Sequence, residues 1–216
     1  GKCGHEKLLK RFADEKSDIL LGTQMVTKGL DFENVTLVGV LAADASLNVD
    51  DFRAQERTFN LIAQVCGRAG RGKKRGRAVV QTYMPDNPTL QLACRQDYKA
   101  FYREEIKYRE EFFYPPFCDI INIIISSSDE EEARTAASVI AMKLKTALRT
   151  EEGCILYEPS KAPVYKVQDR YRYRVWIKCR ADEEITDLLR ETVHCRYGKR
   201  KSDISVIADV NPYNMN

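Results

Sequence analysis

The chain has 216 residues, 44% of them hydrophobic and 31% charged, with 35 basic against 32 acidic side chains and a formal net charge of +3. That balance excludes a disordered or membrane-spanning chain, allows one large or two modest domains, and leaves any nucleic-acid partner to be argued from local clustering. The seven cysteines, Cys3, Cys66, Cys94, Cys118, Cys154, Cys179 and Cys195, are odd in number and never form a CxxC pair. Neither a disulfide framework nor a zinc cage is therefore indicated, and a reducing cytosol is expected. GKCGHEKLL at the start has no signal-peptide core and no initiator methionine, so the chain reads as a fragment.

In chain order, HEKLLKRFADEK (5–16) spaces Leu8, Leu9 and Phe12 for one helical face, and Ser17 and Asp18 break the pattern. A strand is expected at DILLGT (18–23). The continuous apolar run VTLVGVLAA (35–43) is expected as a parallel strand covered on both faces. DFRAQERTFNLIAQVCGRA (51–69) predicts a helix with Asp51 as N-cap and Phe52, Phe59, Ile62 and Cys66 along one side, ending near Gly70. RAVVQTY (77–83) supplies another strand. This order is read most simply as a doubly wound α/β layer with functional loops at the strand ends. Between Asn87 and Tyr114 the composition shifts to long polar helices, closed by Tyr114-Pro115-Pro116-Phe117, where tandem prolines forbid continuation.

The remainder reads as a second domain of strand, helix, strand, strand, helix, strand. Its elements are CDIINIIIS (118–126), DEEEARTAASVIAMKLKTALR (129–149), CILYEPS or PVYKVQ, RYRYRVWIKCR (170–180), ADEEITDLLRETVH (181–194) and DISVIADV (203–210). That order suggests a split βαβ, ferredoxin-like α+β sandwich with helices on one sheet face and the other face open. The expected organisation is 1–95, a helical connector 96–115, and 116–216. Within RYRYRVWIKCR, alternation sends Arg170, Arg172, Arg174, Trp176, Lys178 and Arg180 to one face, and Tyr171, Tyr173, Val175, Ile177 and Cys179 to the other. A basic face carrying an exposed indole suits phosphate neutralisation and base stacking. Its rival is a solvated face paired with acids such as Asp203 and Asp209.

QVCGRAGRGKKRGR (64–77) places six basic side chains and four glycines in fourteen residues with no acid. Arg68 and Arg71, three apart at a turn, suit two guanidinium groups reaching one phosphate chain; a solvated basic loop is the alternative. No GxxxxGK[ST] phosphate loop occurs. SSSDEEE (126–132) imitates a metal-binding acidic box, yet a serine-capped helix with acids in its first turn explains it.

GTQMVTKGLDF (22–32), an apolar strand and then GRAGR resemble motifs V and VI of superfamily-two helicases, in which the second RecA-like lobe supplies arginine fingers to ATP held on the first lobe. Together with LNVDDFRAQERTFNLIAQVCGRAGRG, YPPF and RYRYRVWIK, the chain resembles the primosomal protein N′ (PriA) family of bacterial replication-restart helicases from about His5 to the terminal DVNP. The resemblance implies that residues 1–95 are most of the second RecA-like lobe. It places Gln64, Gly67, Arg68 and Arg71 at the ATP γ-phosphate, with Arg68 and Arg71 as fingers. It places Gly29 and Asp31 near the nucleotide, and Thr23, Gln24 and Lys28 near the DNA backbone.

The same resemblance implies ATP and Mg²⁺ bound mainly by a first lobe that this chain lacks. The family's zinc-binding region lies upstream of motif V, so no metal site is expected here. It also implies 3′-to-5′ unwinding at abandoned forks in the bacterial cytoplasm, and inactivity of the fragment by itself. Implied partners are branched and single-stranded DNA, single-stranded DNA-binding protein, and primosome and helicase-loading proteins, with no membrane. ADEEITDLL is acidic where that partner's acidic tail would want basic residues, so Lys199, Arg200 and Lys201 are an alternative rim. Two other classes stay open: a different superfamily-two translocase, and a non-catalytic nucleic-acid-binding module.

Overall fold

The computed structural model describes residues 2–14, 17–23, 35–67, 76–148, 153–197 and 203–215. They form two compact units, one of residues 1–49 and 53–103, the other of 50–52 and 104–216.

The first unit opens with helix α1 (Lys2–Asp14). Its sheet is a parallel pair, β1 (Leu37–Val40) and β2 (Arg77–Val80), in the register Leu37 opposite Arg77 to Val40 opposite Val80. A 3₁₀ turn (Ala43–Ser46) and helix α2 (Ala54–Cys66) link the strands. α2 buries Ala54, Thr58, Phe59, Ile62 and Val65, a helical period that turns one face to the core. Helix α3 (Pro88–Arg95) and the first turns, through Arg103, of helix α4 (Tyr98–Glu111) follow. Asn87 caps α3 by accepting from Leu90 N–H, and Pro88 occupies the first turn, where its missing N–H costs nothing. The core joins Ala43, Phe59, Ile62, Leu90, Ala93 and Phe101, with Val40 and Val80 against it. Phe59 stacks on Phe101 with centroids 4.3 Å apart.

Three expectations fail in this unit. Residues 18–23 form no strand; Ile19 and Leu21 are 84% and 83% exposed, lacking the pairing and cover that hold a parallel strand. β1 is shorter than the apolar run and not covered on both faces, since Leu37 and Leu41 are exposed. α2 begins at Ala54 rather than at Asp51, with Arg53 in the cap position and no side-chain cap, and Phe52 lies outside the helix.

The second unit is built on antiparallel strands β3 (Asp119–Ser127), β4 (Ile155–Leu156), β5 (Ser160–Val167), β6 (Arg170–Cys179) and β7 (Ser205–Val210). The order across the sheet is β4, β6, β3, β7, with β5 also paired to β6. Both expected candidates for the second strand position therefore form, as β4 and β5. Gln168 and Asp169, both at positive φ, close the β5–β6 hairpin in the twist that two-residue hairpin loops favour.

Helices α5 (Glu130–Ala147) and α6 (Glu183–Tyr197) complete the unit. Ile121, Ile123 and Ile125 of β3 and Tyr173, Val175, Ile177 and Cys179 of β6 form its main core with Ala133, Ala136, Ala137, Ile140 and Leu144 of α5 and Ile185 and Leu189 of α6. The small residues on α5 let it lie close to the sheet. Its cap is Asp129, which accepts from Glu132 N–H at 2.9 Å, rather than a serine. The Ser127 hydroxyl instead lies within hydrogen-bond distance of the carboxylates of Asp203, at 2.9 Å, and Glu132, at 3.1 Å.

Candidate functional site

Helix α2 carries Gln64 and leads into Gly67, and the parallel pair frames the edge beside it. Both strands run in one direction, so their carboxyl ends share an edge, where ligands of α/β sheets gather. At that edge Ala43 N–H extends the ladder to Gln81 O at 3.0 Å. Asp44 accepts from Tyr83 N–H at 3.0 Å. The Thr82 hydroxyl and then the Tyr83 amide hold the Asp44 carboxyl below the usual carboxylate range. Asp44 directly follows the apolar strand run, and an acid at a strand end is the local signal it carries.

Gln64 is half-buried on the last turn of α2, and Gly67 ends that helix with its N–H on Ala63 O at 3.0 Å. A Cβ at Gly67 would meet Ala63 O at 3.3 Å and Gln96 Nε2 at 3.6 Å, so the position favours the smallest residue. Thr23 is exposed. Gln24, Lys28, Gly29, Asp31, Arg68 and Arg71, together with Lys199, Arg200 and Lys201, lie outside the described residues. At the end of α2, burial and then the neighbouring Cys94 thiol push the Cys66 thiol up.

In the second unit, β6 alternates as expected, but the face opposite the helices is not open. Phe52, Phe113 and Tyr114 pack with Cys118, Ile120, Trp176 and Met215 across one end of it. Lys178 is 3% exposed. Its ammonium donates to Phe112 O at 2.9 Å and sits 3.5 Å from the Tyr114 ring centroid and 5.6 Å from that of Tyr157. Such an ammonium is enclosed by π-faces and a carbonyl.

Trp176 packs edge-on to Tyr157 at 6.1 Å, and its indole N–H is buried without an acceptor in the described structure. The indole is thus half-buried, not exposed. Arg174 places its guanidinium carbon 4.6 Å from the Trp176 centroid and pairs with Asp50 at 2.8 Å. The cover comes from residues 50–52, 112–118 and 211–215, remote from β6 in sequence, which is why alternation within one strand did not reveal it.

At the other end of the strand the face is more open. Arg170 donates to Asp203 Oδ1 at 2.9 Å, to Ser126 O at 3.0 Å and to Asp203 O. Arg172 donates to Val164 O at 3.3 Å. The acid-paired alternative therefore describes Arg170, with Asp203 as the acid. The Ser128 hydroxyl and amide, then Arg170 and Ser127, hold the Asp203 carboxyl far below its usual range. Among the described residues no group of three His, Cys, Asp or Glu side chains could hold a metal ion, and no helix is long and apolar enough to cross a membrane.

The helicase conserved C-terminal domain family matches residues 4–73, the stretch that holds β1 and α2. The family described as primosomal protein N C-terminal domain matches residues 110–213. The chain belongs to the replication restart protein PriA family. It is 41% identical to the replication restart protein PriA of Bacillus subtilis (strain 168) over 215 residues, which is 99% of this chain and 26% of that protein. It is 41% identical to the protein of that name from Chlamydia pneumoniae over 82% of this chain and 23% of that protein. With that of Treponema pallidum (strain Nichols) it shares 33% over 99% of this chain and 32% of that protein. The chain thus spans about a quarter to a third of the length of these relatives.

Proposed function

We propose that this chain works, within a longer protein, as the C-terminal portion of an ATP-dependent DNA helicase that unwinds 3′ to 5′ at abandoned forks and initiates primosome assembly. The observation that carries the reading is that one chain matches a helicase C-terminal domain over 4–73 and a primosomal C-terminal domain over 110–213. Arg68 and Arg71 act as arginine fingers. Charge spreading over phosphoryl oxygens in the transition state is stabilised by a guanidinium delivered from across a cleft, an effect worth roughly three to five orders of magnitude in other enzymes. Gly29, Asp31, Gln64 and Gly67 line the nucleotide, and Thr23, Gln24 and Lys28 track the DNA backbone.

ATP supplies the phosphoryl chemistry; Mg²⁺ and zinc are held by parts of the longer protein outside this chain, and the fragment alone is inactive. In this reading 1–95 is most of the RecA-like lobe, 96–115 a connector and 116–216 a ferredoxin-like domain. The last assignment is supported by the order β7, β3, β6, β5 with all neighbours antiparallel and both helices packed on one face. That domain contacts branched and single-stranded DNA through its less covered basic end, Arg170 and Arg172, and docks single-stranded DNA-binding protein and helicase-loading proteins in the bacterial cytoplasm.

The test is Arg71→Ala in the full-length protein. DNA-stimulated ATP hydrolysis should be abolished with DNA affinity nearly intact. Equal loss of both would make Arg71 a DNA clamp, and unchanged hydrolysis would remove the finger assignment.

A further inference from the structure

The first turns of α4 carry a surface that no motif uses and that lies between the two family-matched segments. Tyr98 and Tyr102, four residues apart and so on one helical face, are 59% and 51% exposed, with ring centroids 6.2 Å apart. Lying side by side, the two rings form one exposed patch rather than aromatics scattered singly over the surface. Tyr98 is not loose: its ring leans on the buried Phe59 at 6.1 Å, and Phe59 is stacked on Phe101.

Lys99 and Arg103, each one residue beyond a tyrosine, are exposed as well. The Arg103 Nε–H donates to Lys99 O at 3.2 Å, which holds the guanidinium stem along the helix. Neither cation forms an ion pair among the described residues. The four side chains line one shallow, open groove of about 350 Å³.

We infer that Tyr98, Lys99, Tyr102 and Arg103 form a contact for single-stranded nucleic acid. The rings offer π-faces to unstacked bases and the two cations meet the flanking phosphates. An apolar partner would leave both charges without a counterion, and an acidic peptide would leave both rings without flat partners. An unpaired strand supplies negative charge and aromatic faces together. A duplex offers phosphates but keeps its bases stacked away from the tyrosines. The inference rests on the proposed DNA-handling function and adds a site to it.

The experiment uses the full-length protein, an oligothymidylate and a blunt duplex, in a salt series. Tyr98→Leu with Tyr102→Leu should weaken oligothymidylate binding roughly a hundredfold, as expected for two lost stacked bases, and leave duplex binding unchanged. Tyr98→Phe with Tyr102→Phe should bind as the parent, because the faces remain. Lys99→Gln with Arg103→Gln should make the salt dependence shallower by about 1.4, at about 0.7 per single-strand phosphate. Parental affinity in the leucine variant, loss in the phenylalanine variant, or equal loss on duplex would overturn the site. A parent protein that binds neither probe would sink the DNA-handling function itself. Thermal unfolding of each variant separates lost contact from lost fold.

Discussion

Arg174 on β6 and Asp50, 124 residues apart in sequence, meet at 2.8 Å within the second unit. Arg174 is 14% exposed and Asp50 64%, so the pair holds a nearly enclosed guanidinium against an acid that still faces water. One further guanidinium nitrogen, Nη1, is buried without a partner in the described structure. Asp50→Ala should therefore lower the unfolding free energy by about 1 kcal/mol, the upper end for a partly exposed pair. Adding Arg174→Met should recover that loss, because an apolar isostere leaves no charge to compensate. Urea titration of both variants checks this; simple addition of two losses would mean that Asp50 is not the counterion that matters.

Lys178 separates a structural from a DNA role for the covered end of the sheet. Its ammonium on Phe112 O and Tyr114 should make Lys178→Met destabilising by about 2 kcal/mol, the scale of one hydrogen bond to a charged group. The same variant should leave the salt slope of DNA binding as it was. A shallower slope at undiminished stability would show the ammonium reaching phosphate instead.

Asp203 predicts an acid-side weakness. Its folded carboxyl is depressed, chiefly by the Ser128 hydroxyl, so the stability it contributes is complete above the unfolded carboxylate value near 3.8 and is lost as pH falls below it. The stability gap between the parent protein and Asp203→Asn should be constant from neutral pH down to about 4 and then close. A gap that instead opened below pH 4 would reverse the assignment.

The cysteines differ in reach. Cys94 is exposed, whereas burial pushes the Cys118 thiol up to about 11 and the Cys179 thiol up to about 12. At pH 8 an alkylating reagent should modify Cys94 before Cys118 and Cys179, which are spared until unfolding. Peptide mapping that found Cys118 or Cys179 among the first labelled would contradict the packing of β3 and β6.

Much of the second unit was legible because its elements carry their own period. Ile121, Ile123 and Ile125 alternate on β3, and the tyrosine, valine, isoleucine and cysteine face of β6 packs as alternation required. The β5–β6 turn was hidden because Gln168 and Asp169 take positive φ without a glycine to announce it. The cap of α5 fell to Asp129 because a carboxylate competes with hydroxyls for an amide, and the neighbouring serines had another acceptor in Asp203. In the first unit the apolar run around β1 suggests cover on both faces, although Val40 packs against the core while Leu37 and Leu41 are exposed. Among the described residues β1 pairs with β2, and an apolar run reads the same for such a strand as for one flanked on both sides.

The contribution of Asp50, Phe52 and the turn between them has a practical corollary for anyone dissecting this chain. The second unit is not one continuous stretch: three of its residues arrive from a point more than fifty positions upstream. Scissors placed at Glu104 would yield a polypeptide whose Tyr114 has lost its stacking mate Phe52 and whose Arg174 has lost its acid. Such a truncation would acquire a cationic, aromatic surface by amputation, and its appetite for DNA would describe the wound rather than the protein.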